Sequence, residues 1–189
     1  RRGVAIDDIK FMDYPCGHPR PTTTQLPSTT ETYTNTNFDT TFENDKKILW
    51  ANDGVGSIWE KKSGHLGYSY ESPKIDHTTK SIYGHYMLMI PSEYNSEDEN
   101  YAVLKSNNTL DENAANKHGN GLCVKFWYLM DGTVKSTLNV SIQSTNNPEH
   151  LFYSRSGSYG LTWRYAHFYV DVSILPDSQI LFKGYTMSP

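Results

Sequence analysis

The chain has 189 residues, with 17 Lys and Arg against 21 Asp and Glu, for a net charge of -4. The cationic residues are scattered and form no basic stripe, which argues against a nucleic-acid partner. No apolar run approaches the roughly 18 residues of a membrane span. Mean hydropathy is low at -0.64, yet 14 Tyr, 7 Phe and 4 Trp can fill a core, so full disorder is excluded. The length suits one β domain, with or without a tail. The start at Arg1-Arg2, with no initiator Met, reads either as a mature or excised fragment of a longer precursor or as an arbitrarily chosen boundary.

Residues 1–16 open with a strand-like piece, GVAIDDIKF. Val4 and Ile6 alternate with Ala5 and Asp7, then Ile9 and Phe11 follow out of step, which predicts a bulge. Residues 17–37 carry clustered Pro and Thr and no apolar face. They read as an extended linker, either a plain spacer or an O-glycosylated stalk.

From residue 38 to 189 the pattern is all-β. Tyr86, Leu88 and Ile90 alternate with His85, Met87 and Met89. The run LCVKFWYLM, from Leu122 to Met130, predicts a central strand covered on both faces. Asp131-Gly132 predicts a tight hairpin to the next strand, where Leu138, Val140 and Ile142 alternate with outward Asn139. Ala166, Phe168 and Val170 mark another strand, and Ile180-Leu181-Phe182 starts a short last one. Residues 91–120 read as a long polar excursion, and 111–117 as a surface loop rather than a turn or two of helix. Repeated strands between turn clusters at Asn146-Asn147-Pro148, Ser156-Gly157-Ser158 and Pro176-Asp177-Ser178 argue for a two-sheet antiparallel sandwich.

The signatures then fall in a telling order. Phe42-Glu43, Trp50, Ile58-Trp59, Asp76-His77-Thr78-Thr79 and Gly84-His85-Tyr86-Met87 precede Cys123-Val124-Lys125-Phe126-Trp127-Tyr128. Thr137-Leu138-Asn139-Val140, Trp163-Arg164 and Ile180-Leu181-Phe182-Lys183-Gly184 come after. This series resembles the MAM domain, a module of secreted and cell-surface proteins, over most of residues 38–187. The resemblance implies a jelly-roll-like β-sandwich and a secreted, extracellular, non-catalytic role in adhesion. A family member closes with a strand like A-I-D-D-I and a final Cys. Here Ala5-Ile6-Asp7-Asp8-Ile9 and Cys16 stand at the front instead, as in a unit cut from a tandem array in shifted phase or in a natural permutation. The family's early cysteine pair is replaced by residues such as Thr40 and Leu49. The two cysteines alone leave open whether they pair; the resemblance implies a Cys16–Cys123 disulfide. It also implies one structural cation, Ca2+ or Na+, held by Glu43, Asp76 and one of Asp7 or Asp8; the alternative for these acids is solvated turn carboxylates or bonding to backbone N–H groups.

A sandwich without its closing strand exposes two sheet edges. Val4, Ile6, Ile9 and Phe11 must therefore complete either their own sandwich or a neighbour's. Exchange between copies would give homotypic assembly and, if contacts do not close, a filament. Asn107 and Asn139 head N-x-S/T triplets and are candidate glycosylation sites.

Catalytic patterns are missing. The histidines (His18, His65, His77, His85, His118, His150 and His167) form no H-x-H or H-E-x-x-H spacing. Asp7-Asp8 with Glu43 could pose as a glycosidase pair, but the resemblance already accounts for these acids structurally. Trp59, Tyr68, Tyr70, Trp127, Tyr153, Trp163 and Tyr165 are either core or a carbohydrate platform. The alternatives to an adhesion module are thus a lectin-like carbohydrate-binding module and an accessory domain of a secreted enzyme.

Overall fold

The computed structural model describes residues 3–12, 16, 38–44, 49–53, 56–66, 72–91, 101–110, 121–132, 136–144, 147–171 and 177–186. The linker at 17–37, the loop at 111–117, Tyr68 and Tyr70 lie outside them. Ten strands and one short 3-10 turn, Gly64–Leu66, make up the regular structure of the described residues. The strands are β1 (Gly3–Met12), β2 (Trp50–Asn52), β3 (Ile58–Ser63), β4 (His85–Ile90), β5 (Tyr101–Ser106), β6 (Gly121–Asp131), β7 (Ser136–Ser144), β8 (Asn147–Ser156), β9 (Arg164–Asp171) and β10 (Ser178–Thr186). They form two five-stranded antiparallel sheets, ordered β3-β4-β1-β6-β9 and β2-β5-β10-β7-β8. The two-sheet sandwich expected from the sequence is what forms.

Alternation decides which side chains meet between the sheets. From β6, Leu122, Val124, Phe126, Tyr128 and Met130 point inward; from β7, Leu138, Val140 and Ile142; from β9, Ala166, Phe168 and Val170. Phe126 meets Phe182 of β10 edge-on at 5.1 Å, joining the layers at their centre. Trp59 adds a polar tie, because its indole N–H on β3 donates to the Ala102 carbonyl of β5 in the other sheet.

β1 is the middle strand of the first sheet. It pairs with β6 from Gly3–Asp131 to Met12–Cys123, and with β4 through Ala5–Leu88 and Ile6–Met87. The expected bulge is present: the register shifts between Asp7 and Lys10, and Asp8 takes a left-handed backbone with φ 51°. That extra residue flips the alternation. Val4 and Ile6 face the core before it, and Ile9 and Phe11 face the core after it. Asp7 and Asp8 are left side by side at the bulge.

The outer face of this sheet has its own small core of Ala5, Tyr86, Leu88 and Leu129, with Ile90 and Trp163 packed against it. This explains why β4 and β6 are apolar on both faces. The segment 72–84 covers part of that face, and the Tyr86 hydroxyl donates to the Pro73 carbonyl.

Four readings of the sequence need correction. The Asp131-Gly132 signal is no hairpin, since β6 and β7 lie in different sheets; the chain crosses between layers there. The polar excursion contains β5, whose YAVLKS packs Ala102 and Leu104 into the core. The last strand is long and central, since β10 runs between β5 and β7. Asn147-Pro148 belongs to the edge strand β8 rather than to a turn.

Candidate functional site: the seam around the closing strand

β1 enters the first sheet as an apolar strand carrying two adjacent carboxylates, and the polar partners of those carboxylates come from residues 76–79. Asp7 is fully buried. Its Oδ2 accepts from the backbone N–H of His77 at 2.8 Å and of Thr78 at 3.3 Å, and its Oδ1 accepts from the Asp8 N–H at 2.8 Å. Asp8 is also buried; its Oδ1 accepts from the Thr78 hydroxyl at 2.7 Å, and its Oδ2 contacts Nδ1 of His77. Burial pushes the Asp7 carboxyl up to about 7, the neighbouring Asp8 charge adds to this, and the N–H donors oppose it.

Asp76 organises the segment that supplies those donors. Its Oδ1 accepts from the Thr79 hydroxyl at 2.7 Å and the Ser81 N–H at 2.9 Å, and its Oδ2 accepts from the Thr79 N–H. Burial works to raise its carboxyl, but these donors outweigh that and hold it below the usual carboxylate range. Gly84 is required beside it, because a Cβ there would overlap the Asp76 carboxylate and the Thr79 hydroxyl. The four residues Asp76-His77-Thr78-Thr79 thus act as one fastening. Asp76 and Thr79 shape the loop, and His77 and Thr78 grip β1.

Glu43 forms a second clasp. Its Oε1 accepts from the His85 N–H at 2.7 Å, and its Oε2 meets Nδ1 of His85 at 3.0 Å. Further along, Asp39 Oδ1 accepts from the Phe11 N–H at 2.7 Å, and the Thr40 N–H donates to the Ile9 carbonyl at 2.9 Å. The disulfide Cys16–Cys123 closes the seam, with Cα atoms 5.1 Å apart and a separation of 107 positions along the chain. It links the segment just after β1 to the first residues of β6.

The four acids named from the sequence are therefore placed in two clusters. Asp7, Asp8 and Asp76 converge on residues 76–81, while Glu43 pairs with His85. All eight of their carboxylate oxygens accept from protein donors or meet a histidine nitrogen. Among the described residues, no group of three or more His, Cys, Asp or Glu side chains is arranged to hold a metal ion. The donors suit a hard cation in chemical kind, but their oxygens are turned to N–H and O–H groups. His77 and His85, which sequence reading left among scattered histidines, are the partners of these acids.

The aromatic candidates divide as well. Trp59 is buried in the core, and Tyr153 packs against that core. Trp127, Trp163 and Tyr165 instead meet on the outer face of the first sheet. His77 stacks on Trp127 with centroids 3.7 Å apart and planes 16° apart, and Tyr165 lies 5.4 Å from Trp127 on the adjacent strand. Asn107 and Asn139 both belong to the second sheet's side: Asn107 is exposed just past β5, and Asn139 stands on the outer face of β7, accepting from the Ser154 hydroxyl.

The family described as MAM domain, meprin/A5/mu matches residues 40–189. The match holds nine of the ten strands, Cys123, Glu43 and the grip at 76–79, and it begins beyond β1. With most of its length matched and both sheets formed as the resemblance implied, the chain belongs to the MAM family of extracellular, adhesion-type modules.

Proposed function

We propose that the chain is a secreted, non-catalytic module that adheres to further copies of itself, and that β1 is the element passed between copies. One observation carries this reading. The strand at the centre of the first sheet lies outside the matched span of 40–189, and 25 residues, counted from 13 to 37, separate it from the core. Extended, they reach roughly 80 Å at about 3.3 Å per residue. The seat between β4 and β6 offers the same ladder, apolar pockets and polar grip to a β1 from either copy. A swapped pair therefore loses none of these contacts, and concentration and connector length choose between the closed and exchanged forms. In this reading β1 is the family's closing strand in shifted phase, and Cys16–Cys123 is the lock. Before the bond forms the strand can be exchanged; afterwards the arrangement is fixed.

Electrophoresis without reductant, on chain refolded at low and at high concentration, tests this. A ladder of disulfide-linked species that grows with concentration and collapses on reduction is the expected result. Monomeric mass at every concentration would overturn the exchange.

A cation is the second reading, favoured by one feature. Asp7 and Asp8 are adjacent buried acids, and Asp7 is pushed up to about 7 by burial and by its neighbour. A calcium or sodium ion drawn to the Asp7–Asp8 pair would relieve that cost. Melting in calcium, in sodium and after chelation decides it: a rise with either ion supports the reading, and unchanged melting in all three opposes it.

A further inference from the structure

We infer that the groove on the outer face of the first sheet is a docking site for an acidic peptide segment carrying a bulky apolar side chain. This rests on the adhesion reading for the class of partner and adds where that partner binds and what chemistry it presents.

The groove encloses about 500 Å³ between residues 73–80 and 161–163, with Trp127 of β6 among its lining residues. Its two rims are tied together, because the Trp163 indole N–H donates to the Ile75 carbonyl at 2.8 Å. The lining is mainly apolar: Ile75, Leu161, Trp127 and Trp163. Ile75 and Leu161 are each 45% exposed, and Tyr165 beside Trp127 is 46% exposed. Large side chains left this open, clustered around a concave site, are the usual make-up of an anchor pocket in a protein interface.

Charge selects the partner. Lys74 and Lys80 are exposed lining residues, one on each side of the Ile75–His77 stretch. Lys80 is held over the Trp127 ring, 5.8 Å from its centroid, from a left-handed backbone with φ 57°. A non-glycine residue in that conformation persists only where its surroundings impose it; here Asp76 fixes the residues on either side through Thr79 and Ser81. Asp76 lines the groove, but its carboxylate is buried and presents no opposing surface charge. Asp7, Asp8 and Asp76 are buried and turned to the donors named above.

Sidedness points the same way. Asn139 stands on the outer face of the second sheet and Asn107 just past that sheet's β5, so glycans at either would leave this face open. The polar lining is Lys74, Asp76, His77, Lys80 and Thr162. The Asp76 carboxylate is turned to Thr79 and Ser81 and Nδ1 of His77 to Asp8, so the two lysines dominate what the groove offers, which favours an acidic peptide over a neutral saccharide.

The test uses the whole chain and its four Trp indole N–H resonances. Titration with a blocked Glu-Phe-Glu peptide should give saturable shifts of the Trp127 and Trp163 signals, with Trp50 and Trp59 still. The double substitution Lys74→Glu and Lys80→Glu should weaken binding at least tenfold while leaving the Trp50 and Trp59 signals in place. A Lys-Phe-Lys peptide should give no saturable shift. The inference is overturned if the acidic peptide moves nothing at millimolar concentration. It is also overturned if the double variant binds equally well, or if glucuronate binds and the peptide does not. Bead aggregation separates this from the adhesion reading. Aggregation of wild-type and double-variant beads alike removes the groove from self-adhesion and leaves self-adhesion standing. Wild-type beads that stay dispersed overturn self-adhesion, and the peptide titration still judges the groove.

Discussion

The two sheets have the same strand number and unlike centres. β10, at the middle of the second sheet, belongs to the family-matched stretch and is held by its ladders to β5 and β7, by its apolar face, and by side-chain contacts in which the Ile180 N–H donates to the Ser106 hydroxyl and Lys183 meets Glu149 of β8. β1, at the middle of the first, comes from outside the match. It is held by ladders and an apolar face too, but also by a carboxylate grip, a pair of contacts with Asp39 and Thr40, and a disulfide. A centre strand that is distant in sequence starts with a larger loop-closure cost. The extra fastenings sit where that cost falls. They act from the middle of the strand, at Asp7 and Asp8, to Cys16 beyond its end, which fixes its register past the bulge.

Removing the centres one at a time breaks the comparison most severely. Deleting residues 1–16 should abolish cooperative unfolding in near-ultraviolet dichroism, because β4 and β6 lose their shared neighbour and Val4, Ile6, Ile9 and Phe11 leave the core. Adding residues 1–16 back as a peptide should restore it; if the truncated chain unfolds cooperatively unaided, β1 is dispensable.

The disulfide comes next. For the loop of 107 residues the chain-entropy estimate is about 4.7 kcal/mol. Replacing both cysteines by Ser should lower the unfolding free energy by about that much in urea, and a loss below about 1 kcal/mol would mean that the strand is seated without its lock.

Ile6→Ala and Ile180→Ala compare the two centres directly. Both side chains are fully buried, so each should cost about 3 kcal/mol. If Ile6→Ala costs far less, the first sheet tolerates a loose centre.

The pH dependence distinguishes the centres by chemistry. Asp7 has its folded carboxyl raised to about 7 from 3.8, so the folded state holds a proton that the unfolded chain has lost between those values. Stability should therefore fall as pH rises through that window, by about 2 kcal/mol between about pH 5.5 and pH 8 at about 1.4 kcal/mol per unit. Asp76 has the opposite sign: its contribution is present above the unfolded value and is lost as pH falls through the lowered folded one. Asp7→Asn should flatten the alkaline slope and keep the acid one. An unchanged slope in Asp7→Asn would remove Asp7 as its source.

What the sequence revealed of this molecule follows a physical divide. β4, β7 and β9 were legible because each alternates cleanly, and β1 was legible down to its bulge because Ile9 and Phe11 break the step set by Val4 and Ile6. β5 was hidden among polar neighbours, and β8 by its Pro and by an edge position that leaves Leu151 exposed. Asp131-Gly132 misled because a turn signal reports a local reversal, not which sheet receives the next strand. At the seam, Asp7, Asp8, Asp76, Glu43 and the cysteine pair came from the family resemblance. Their partners did not. Nothing local in His77, Thr78 or His85 says that each faces a carboxylate about 40 to 70 residues away in the chain; only the fold brings them there.

Native-state hydrogen exchange tests the central claim, that a strand from outside the family-matched span is a full structural centre. The amides of Val4 to Asp7 should exchange as slowly as those of Ile180 to Phe182, both limited by global unfolding. Exchange of the β1 amides at the rate of a frayed terminus, while the β10 amides stay protected, would contradict it.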